Sequence, residues 1–382
     1  MRNSGEIRLQ RVVATVCATL FAVFAFLFVA VYQAPLLEAF YNEVATGKLG
    51  YNPWLVGGVV SLLLTILALW LNRFAGFRRE WTAIAYLPSA LLLAFITDID
   101  RRIYTGGGFS YSWIIIFVLG LLVYTFMAFI LSRILFEKIK DVTMVTNRVL
   151  WRNMMLMVLL ISLVGTLSNG DGDFKRETRL MSHLADDDTL KALRVGKTSL
   201  EASHELTAMR AYLLANSGKL GEQIFEYPQY YASEGLLPHV KRTSSLVPDS
   251  VYSLIGAVPA SGETAATFLA RMALADSATT VAKEYYLTSL LLDKRLLEFK
   301  EQVLSMYGID ALDSLPKHYR EALMLYTDIA DVPEFQVNDS VMHKKLAKLR
   351  ELEKIYEDAF VRGNYVRRYF GRTYWWYFLY SN

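Results

Sequence analysis

Cysteine is almost absent. Of 382 residues only Cys17 carries a thiol, and it lies inside an apolar run. No internal disulfide can form, so cysteine usage does not report the redox compartment. Histidine is nearly as scarce. His183, His204, His239, His318 and His343 show no pair at metal-ligand spacing and no His-Glu-x-x-His. They read as solvated or locally bonded, and no metal is expected. Gly106–Gly107–Gly108 lacks the lysine and hydroxyl residue of a phosphate loop and reads as a plain connection. There is no Gly-x-Ser-x-Gly elbow, and nothing points to a cofactor. Charged residues are only 20% of the chain and the net charge is +3, too little to indicate nucleic acid. Sustained period-two alternation is missing as well, which argues against a sheet.

What the chain does hold is apolar sequence, 54% of it, concentrated before residue 168. A hydrocarbon layer about 30 Å thick takes roughly 20 apolar helical residues to cross. Runs of that kind stand near 12–32, 54–71, 81–97, 111–131 and 149–167. The last is the weakest, because its uncharged part begins only at Met154, and a full span needs Arg152 to snorkel to the interface. Pro88 inside the third run predicts a kink. Trp54, Trp81 and Trp151 stand at run starts, where amphipathic rings suit the headgroup layer. The first run is too long for a signal-peptide core and no clear small-x-small site follows it, so it is expected to remain as a span.

Basic residues set the expected orientation. Eleven flank alternate ends of the runs: Arg2, Arg8 and Arg11, then Arg73, Arg78 and Arg79, then five between Arg133 and Arg152. Three, Lys48, Arg101 and Arg102, flank the others. This predicts a cytoplasmic N-terminus. Five crossings then place residue 168 onward outside, which in a bacterium with two membranes is the periplasm.

Residues 168–382 read as a soluble helical domain. Asn169–Asp173 is a polar exit, and helical spacing follows over Glu201–Asn216, Glu263–Asp276, Thr279–Met306 and Val341–Phe360. Pro316 fits the first turn of a helix reaching about Ile329. Leu269, Ala270, Ala282 and Tyr286 match the small and aromatic places of a tetratricopeptide helix pair. Ala211, Gly218 and Tyr227 form a weaker second match in which Gln223 replaces the small residue.

Two acidic clusters stand out. Asp98 and Asp100 could hold a divalent cation against a diphosphate, but so short a spacing recurs readily by chance, and the plainer reading is charges that end the third span and anchor it at the interface. Asp186–Asp187–Asp188 reads as a helix start, where carboxylates meet the positive end of the dipole. The tail around Tyr374, Trp375, Trp376 and Tyr377 is the densest aromatic stretch. It can cap the domain, lie on lipid or dock a partner.

Several segments carry a family resemblance: Gly218–Leu220, Phe225–Gln229, Gly235–Pro238, Leu315–Leu323 and Thr373–Tyr377, with Asn52–Pro53, Tyr86–Ser89 and Thr97–Asp98 in the apolar half. They resemble segments of an uncharacterised family of multi-span membrane proteins of the Bacteroides group, which carries a periplasmic tetratricopeptide-like C-terminal region. The resemblance implies architecture and location and brings no activity with it.

The expected fold is therefore all-α, with a bundle of about five transmembrane helices over 1–167 and a helical, repeat-like domain over 168–382. The expected role is a scaffold anchored in the inner membrane, with membrane lipid and proteins of the membrane or periplasm as partners. Tyr374, Trp375, Trp376 and Tyr377 are its candidate interaction residues. The alternative is an enzyme or enzyme subunit acting on lipid-linked glycan through Asp98 and Asp100.

Overall fold

The computed structural model describes residues 4–45, 50–75, 77, 81–105, 110–133, 142–239, 248–330 and 337–381. Gly106–Gly108 and the basic residues Arg2, Lys48, Arg78, Arg79, Lys138 and Lys140 lie outside them. The described residues are helical and hold no strand. The chain divides into two compact units, Met1–Ser182 and His183–Asn382.

In the first unit, α1 (Ser4–Leu27) runs into a π turn at Phe28–Tyr32, and α2 (Ala34–Ala45) and α3 (Pro53–Ala75) follow. Then come α4 (Leu87–Thr97), α5 (Ser112–Arg133), α6 (Val142–Leu167) and the polar α7 (Gly172–Ala185). Four stretches are long and apolar enough to cross a membrane: Arg8–Tyr32, Pro53–Ala75, Ser112–Ile130 and Asn147–Leu167. The last, expected to be the weakest, is a 21-residue apolar helix. The short one is the third run. There a 3-10 segment, Thr82–Tyr86, leads into α4. Pro88 therefore does not kink a continuous helix. It sits in the first turn of α4, where its missing N–H is not needed.

Burial explains how so short a run is held. Ser89, Ala90, Leu93, Ala94 and Thr97 in α4 are almost fully enclosed. Leu62, Leu63, Ile114, Ile115, Phe126 and Val158 on the surrounding helices each expose more than half of their surface. An apolar exterior of this extent suits hydrocarbon rather than water. Small residues let the helices approach: a Cβ built on Gly57 would stand 2.7 Å from that of Ala30, and Ser89 Oγ donates to the Leu64 carbonyl at 2.8 Å.

Hydrogen bonds fix the two ends of this bundle. At one end the buried Asn153 side chain accepts the Ala83 N–H at 2.9 Å. Arg152, expected to reach for the interface, lies 5.0 Å from the ring of Trp81 at the same level. At the other end Asn169 donates to the Ile99 carbonyl, and the buried Gln33 donates to the Asn169 carbonyl. Residues 82–97 thus run parallel to 153–169 of the last apolar helix and cover the same thickness. Five 3-10 and eleven α residues give about 26 Å, close to a hydrocarbon layer.

In the second unit, α8 (Thr189–Arg194) and α9 (His204–Asn216) precede a four-residue α10 (Leu220–Gln223) and α11 (Pro248–Ile255). Next come α12 (Ala265–Ala273), α13 (Thr280–Leu292), α14 (Leu296–Tyr307) and α15 (Lys317–Ala330). The chain ends in α16 (Ser340–Ile355), α17 (Ala359–Phe370) and α18 (Tyr374–Tyr380). Side-chain caps set the starts: Ser203, Thr264, Thr279, Asp358 and Thr373 each accept a first-turn N–H. The helix expected over Thr279–Met306 is two helices, because Lys294 turns at a φ of +58°. Val341–Phe360 is likewise split after Ile355. At the centre α13 is enclosed, with Tyr285, Leu287, Leu290 and Leu291 buried.

Candidate functional site

At the end of the bundle that holds Asn169, an ion-pair cluster ties loop to helix. Arg101 reaches Glu177 through Nη2 at 2.7 Å and Asp171 through Nη1 at 2.8 Å, and its guanidinium lies 5.2 Å from the Phe174 ring. Asp98 and Asp100 flank the buried Ile99 in this region. Each has its own partner. Asp98 accepts the Trp113 indole N–H at 2.7 Å. Asp100 accepts the backbone N–H of Arg102 at 2.8 Å and is paired with its guanidinium. Burial works to raise the Asp100 pKa, but these bonds and the charge of Arg102 hold it below the ordinary carboxylate range. Arg101, Arg102 and Arg176 at this end are each paired with acids, whereas Arg8, Arg11, Arg73 and Arg148 lie toward the opposite end.

Asp186–Asp188 divides its work. Asp187 adopts a φ of +59°, and Asp188 caps α8 by accepting the Lys191 N–H at 3.0 Å. The cluster therefore opens a helix, as its sequence indicates, through one of its three carboxylates.

The aromatic tail folds inward. Tyr374 and Trp375 are fully buried, Tyr377 nearly so, and Trp376 lies partly exposed and stacked on Tyr380 at 5.1 Å. Phe225 gathers His318, Tyr374 and Tyr377 around it, with ring centroids 5.0–5.2 Å away. Glu222 caps α15 by accepting the Lys317 N–H at 2.6 Å. A Cβ on Gly221 would stand 2.8 Å from the Tyr319 ring. Phe225–Gln229, Leu315–Leu323 and Thr373–Tyr377 therefore meet in one core.

One cluster escaped the sequence. Among the described residues, one group of three metal-ligating side chains has its ligand atoms within 4.8 Å of one another: His204, Glu205 and His239. His204 opens α9 just after the Ser203 cap, and His239 ends the extended stretch after Leu236. The two imidazole centroids are 4.0 Å apart, and His239 Nδ1 lies 2.9 Å from Glu205 Oε1. Burial and the neighbouring His239 push the His204 pKa below its ordinary value, against the opposing pull of Glu205 and Glu234. Sequence spacing could not reveal this group, because folding brings together residues separated by 34 positions.

Comparison with known proteins adds one match. Residues 258–381 match the model of a family of unknown function (DUF6057). The match begins between α11 and α12 and includes the aromatic tail. No curated protein and no solved structure matches the chain.

Proposed function

We propose that this chain is a membrane-anchored scaffold whose helical domain presents a docking surface on the outer side of the inner membrane. The observation that carries the reading is α17. Only Val366 and Phe370 of its twelve residues are buried. Tyr365 and Tyr369 are exposed on one side of the helix, and Phe360, 80% exposed, lies about half a turn round it beside Arg367, so the solvent side of α17 is aromatic and basic over a wide arc. Tyr365 stacks on Tyr356 at 4.2 Å, and Lys348 lies 4.6 Å from the Tyr369 ring. Trp376, partly exposed, stacks on Tyr380 at 5.1 Å. Preformed aromatic rings among basic groups are typical anchors for an acidic protein partner.

Orientation supports the outer placement. Gln33, Ile99 and Asn169 share one end of the bundle, so residue 169 leaves it opposite to Arg8 and Arg11. The excess of basic residues belongs to the end that stays in the cytoplasm. The likeness to Bacteroides-group membrane proteins agrees with a periplasmic domain. A tetratricopeptide-like character rests on the pair α12–α13, in which Leu269, Ala282 and Tyr286 are buried. The second match contributes no such pair, since α10 stops after four residues.

The test is co-purification from mild detergent. A stoichiometric protein partner should be lost in Phe360→Ala with Tyr369→Ala, and retained in Asp98→Asn with Asp100→Asn. Retention in the first double variant, with the chain folded and abundant, would remove the docking role of α17.

A further inference from the structure

The second unit holds a group that the scaffold reading does not use. We propose that His204, Glu205 and His239 bind a zinc ion, with a fourth position left to water or an exchangeable ligand. Two imidazoles and one carboxylate are a donor set that zinc accepts, with three protein ligands and one open site. The geometry is close to what the ion needs. Ligand atoms about 2.0–2.1 Å from a tetrahedral zinc stand about 3.3 Å apart. Here His239 Nδ1 and Glu205 Oε1 are 2.9 Å apart, and all three ligand atoms fall within 4.8 Å. The remaining adjustment falls on His239, whose side chain is 55% exposed, whereas that of Glu205 is only 10% exposed.

A second, independent observation points to a ligand. His204 Nδ1 is buried and has no hydrogen-bond partner. A buried imidazole nitrogen left unpaired is costly, and coordination would satisfy it. The ring packs edge-on against Tyr231, with centroids 5.2 Å apart, which holds its plane. Charge favours a cation despite the position at a helix start. The positive end of α9 opposes one, but Glu205 lies in the group and Glu234 nearby adds a second carboxylate. The exposed side of His239 leaves the fourth position open to solvent. The proposal concerns zinc binding and stands whether or not α17 docks a partner.

The experiment uses the full chain in detergent, stripped with a chelator and titrated with zinc chloride by calorimetry. Metal content is measured after gel filtration. The expected result is about one zinc per chain, weakened at least tenfold in His239→Gln and in Glu205→Gln, and lost in His204→Gln with His239→Gln. His343→Gln should bind as the parent does, since its ring contacts the Val337 carbonyl instead. Magnesium at the same concentration should not bind, as imidazole ligands do not suit it. Should the double variant fail to fold, the surface substitution His239→Gln decides the matter, read as loss of the zinc-induced rise in melting temperature. A parent chain that retains no zinc, or a folded His239→Gln chain that binds as tightly as the parent, would overturn the site.

Discussion

Glu321 Oε2 accepts the backbone N–H of Tyr374 at 2.8 Å, joining residues 53 apart in the chain. The same oxygen lies 2.8 Å from His318 Nδ1, and the Glu321 carbonyl accepts the Trp375 indole N–H at 2.7 Å. Glu321 is 2% exposed and His318 not at all. A buried carboxylate thus fastens the start of α18 to α15, and the aromatic tail is part of the domain core.

Glu321→Ala should therefore release the tail. It leaves buried N–H donors unpaired, each costing about 1–3 kcal/mol. For a unit of this size, 1 kcal/mol is worth roughly 2–4 °C of melting temperature. Thermal melts of the full chain in detergent should fall by several degrees, and limited proteolysis should begin to cut between α17 and α18. Trp376→Ala, which removes a partly exposed ring, should do neither.

The bundle offers a matched pair of glycines. A Cβ on Gly57 would meet Ala30 Cβ at 2.7 Å and the Phe26 carbonyl at 3.2 Å, whereas one on Gly58 meets nothing within 4 Å. Gly57→Ala should loosen the contact between α1 and α3 and lower the melting temperature in detergent. Gly58→Ala should be neutral or slightly stabilising, because alanine is the better helix former. Equal behaviour of the two variants would contradict the close approach.

Overpacking tests the α12–α13 pair. Ala282 is fully buried, so Ala282→Leu should cost about 1–3 kcal/mol. Ala270 is only partly enclosed, and Ala270→Leu should cost less. The ordering of the two melting temperatures is the readout.

Much of the fold was legible because hydrophobic runs and caps are local signals. The apolar runs and the Pro316 helix can be read from neighbours in sequence. The break at Lys294 was not, because a single lysine at positive φ leaves no mark in the pattern. The shortness of the third run was hidden for a different reason. Apolar residues from Thr82 to Thr97 look like any span, and only enclosure by the surrounding helices permits the 3-10 start. Of the sites, Asp98 and Asp100 were visible as a cluster, but their separate partners, Trp113 and Arg102, were not. The group of His204, Glu205 and His239 is a product of tertiary folding alone.

Glu284 gives a pH signature. Its Oε2 is buried without a partner, and burial raises its pKa above the ordinary value of 4.5. Below that value the group is neutral in folded and unfolded chains alike, and no penalty exists. As the pH rises through the raised value, the folded state must charge a half-buried carboxyl and loses stability. Glu284→Gln should therefore melt higher than the parent at neutral pH, with the gap closing below pH 4.5. A constant gap across the range would show that the substitution acts through packing instead.

We propose that the chain crosses the membrane five times, the four long apolar helices being joined by α4 as a shorter crossing, with its helical domain on the outer side. Alkaline phosphatase, active only outside the cytoplasm, tests it when fused after Asn382 and, separately, after Phe77. High activity is expected for the fusion after Asn382 and none for the fusion after Phe77. A well-expressed but inactive fusion after Asn382 would mean an even number of crossings or an inverted orientation, and would contradict the outer placement of the helical domain.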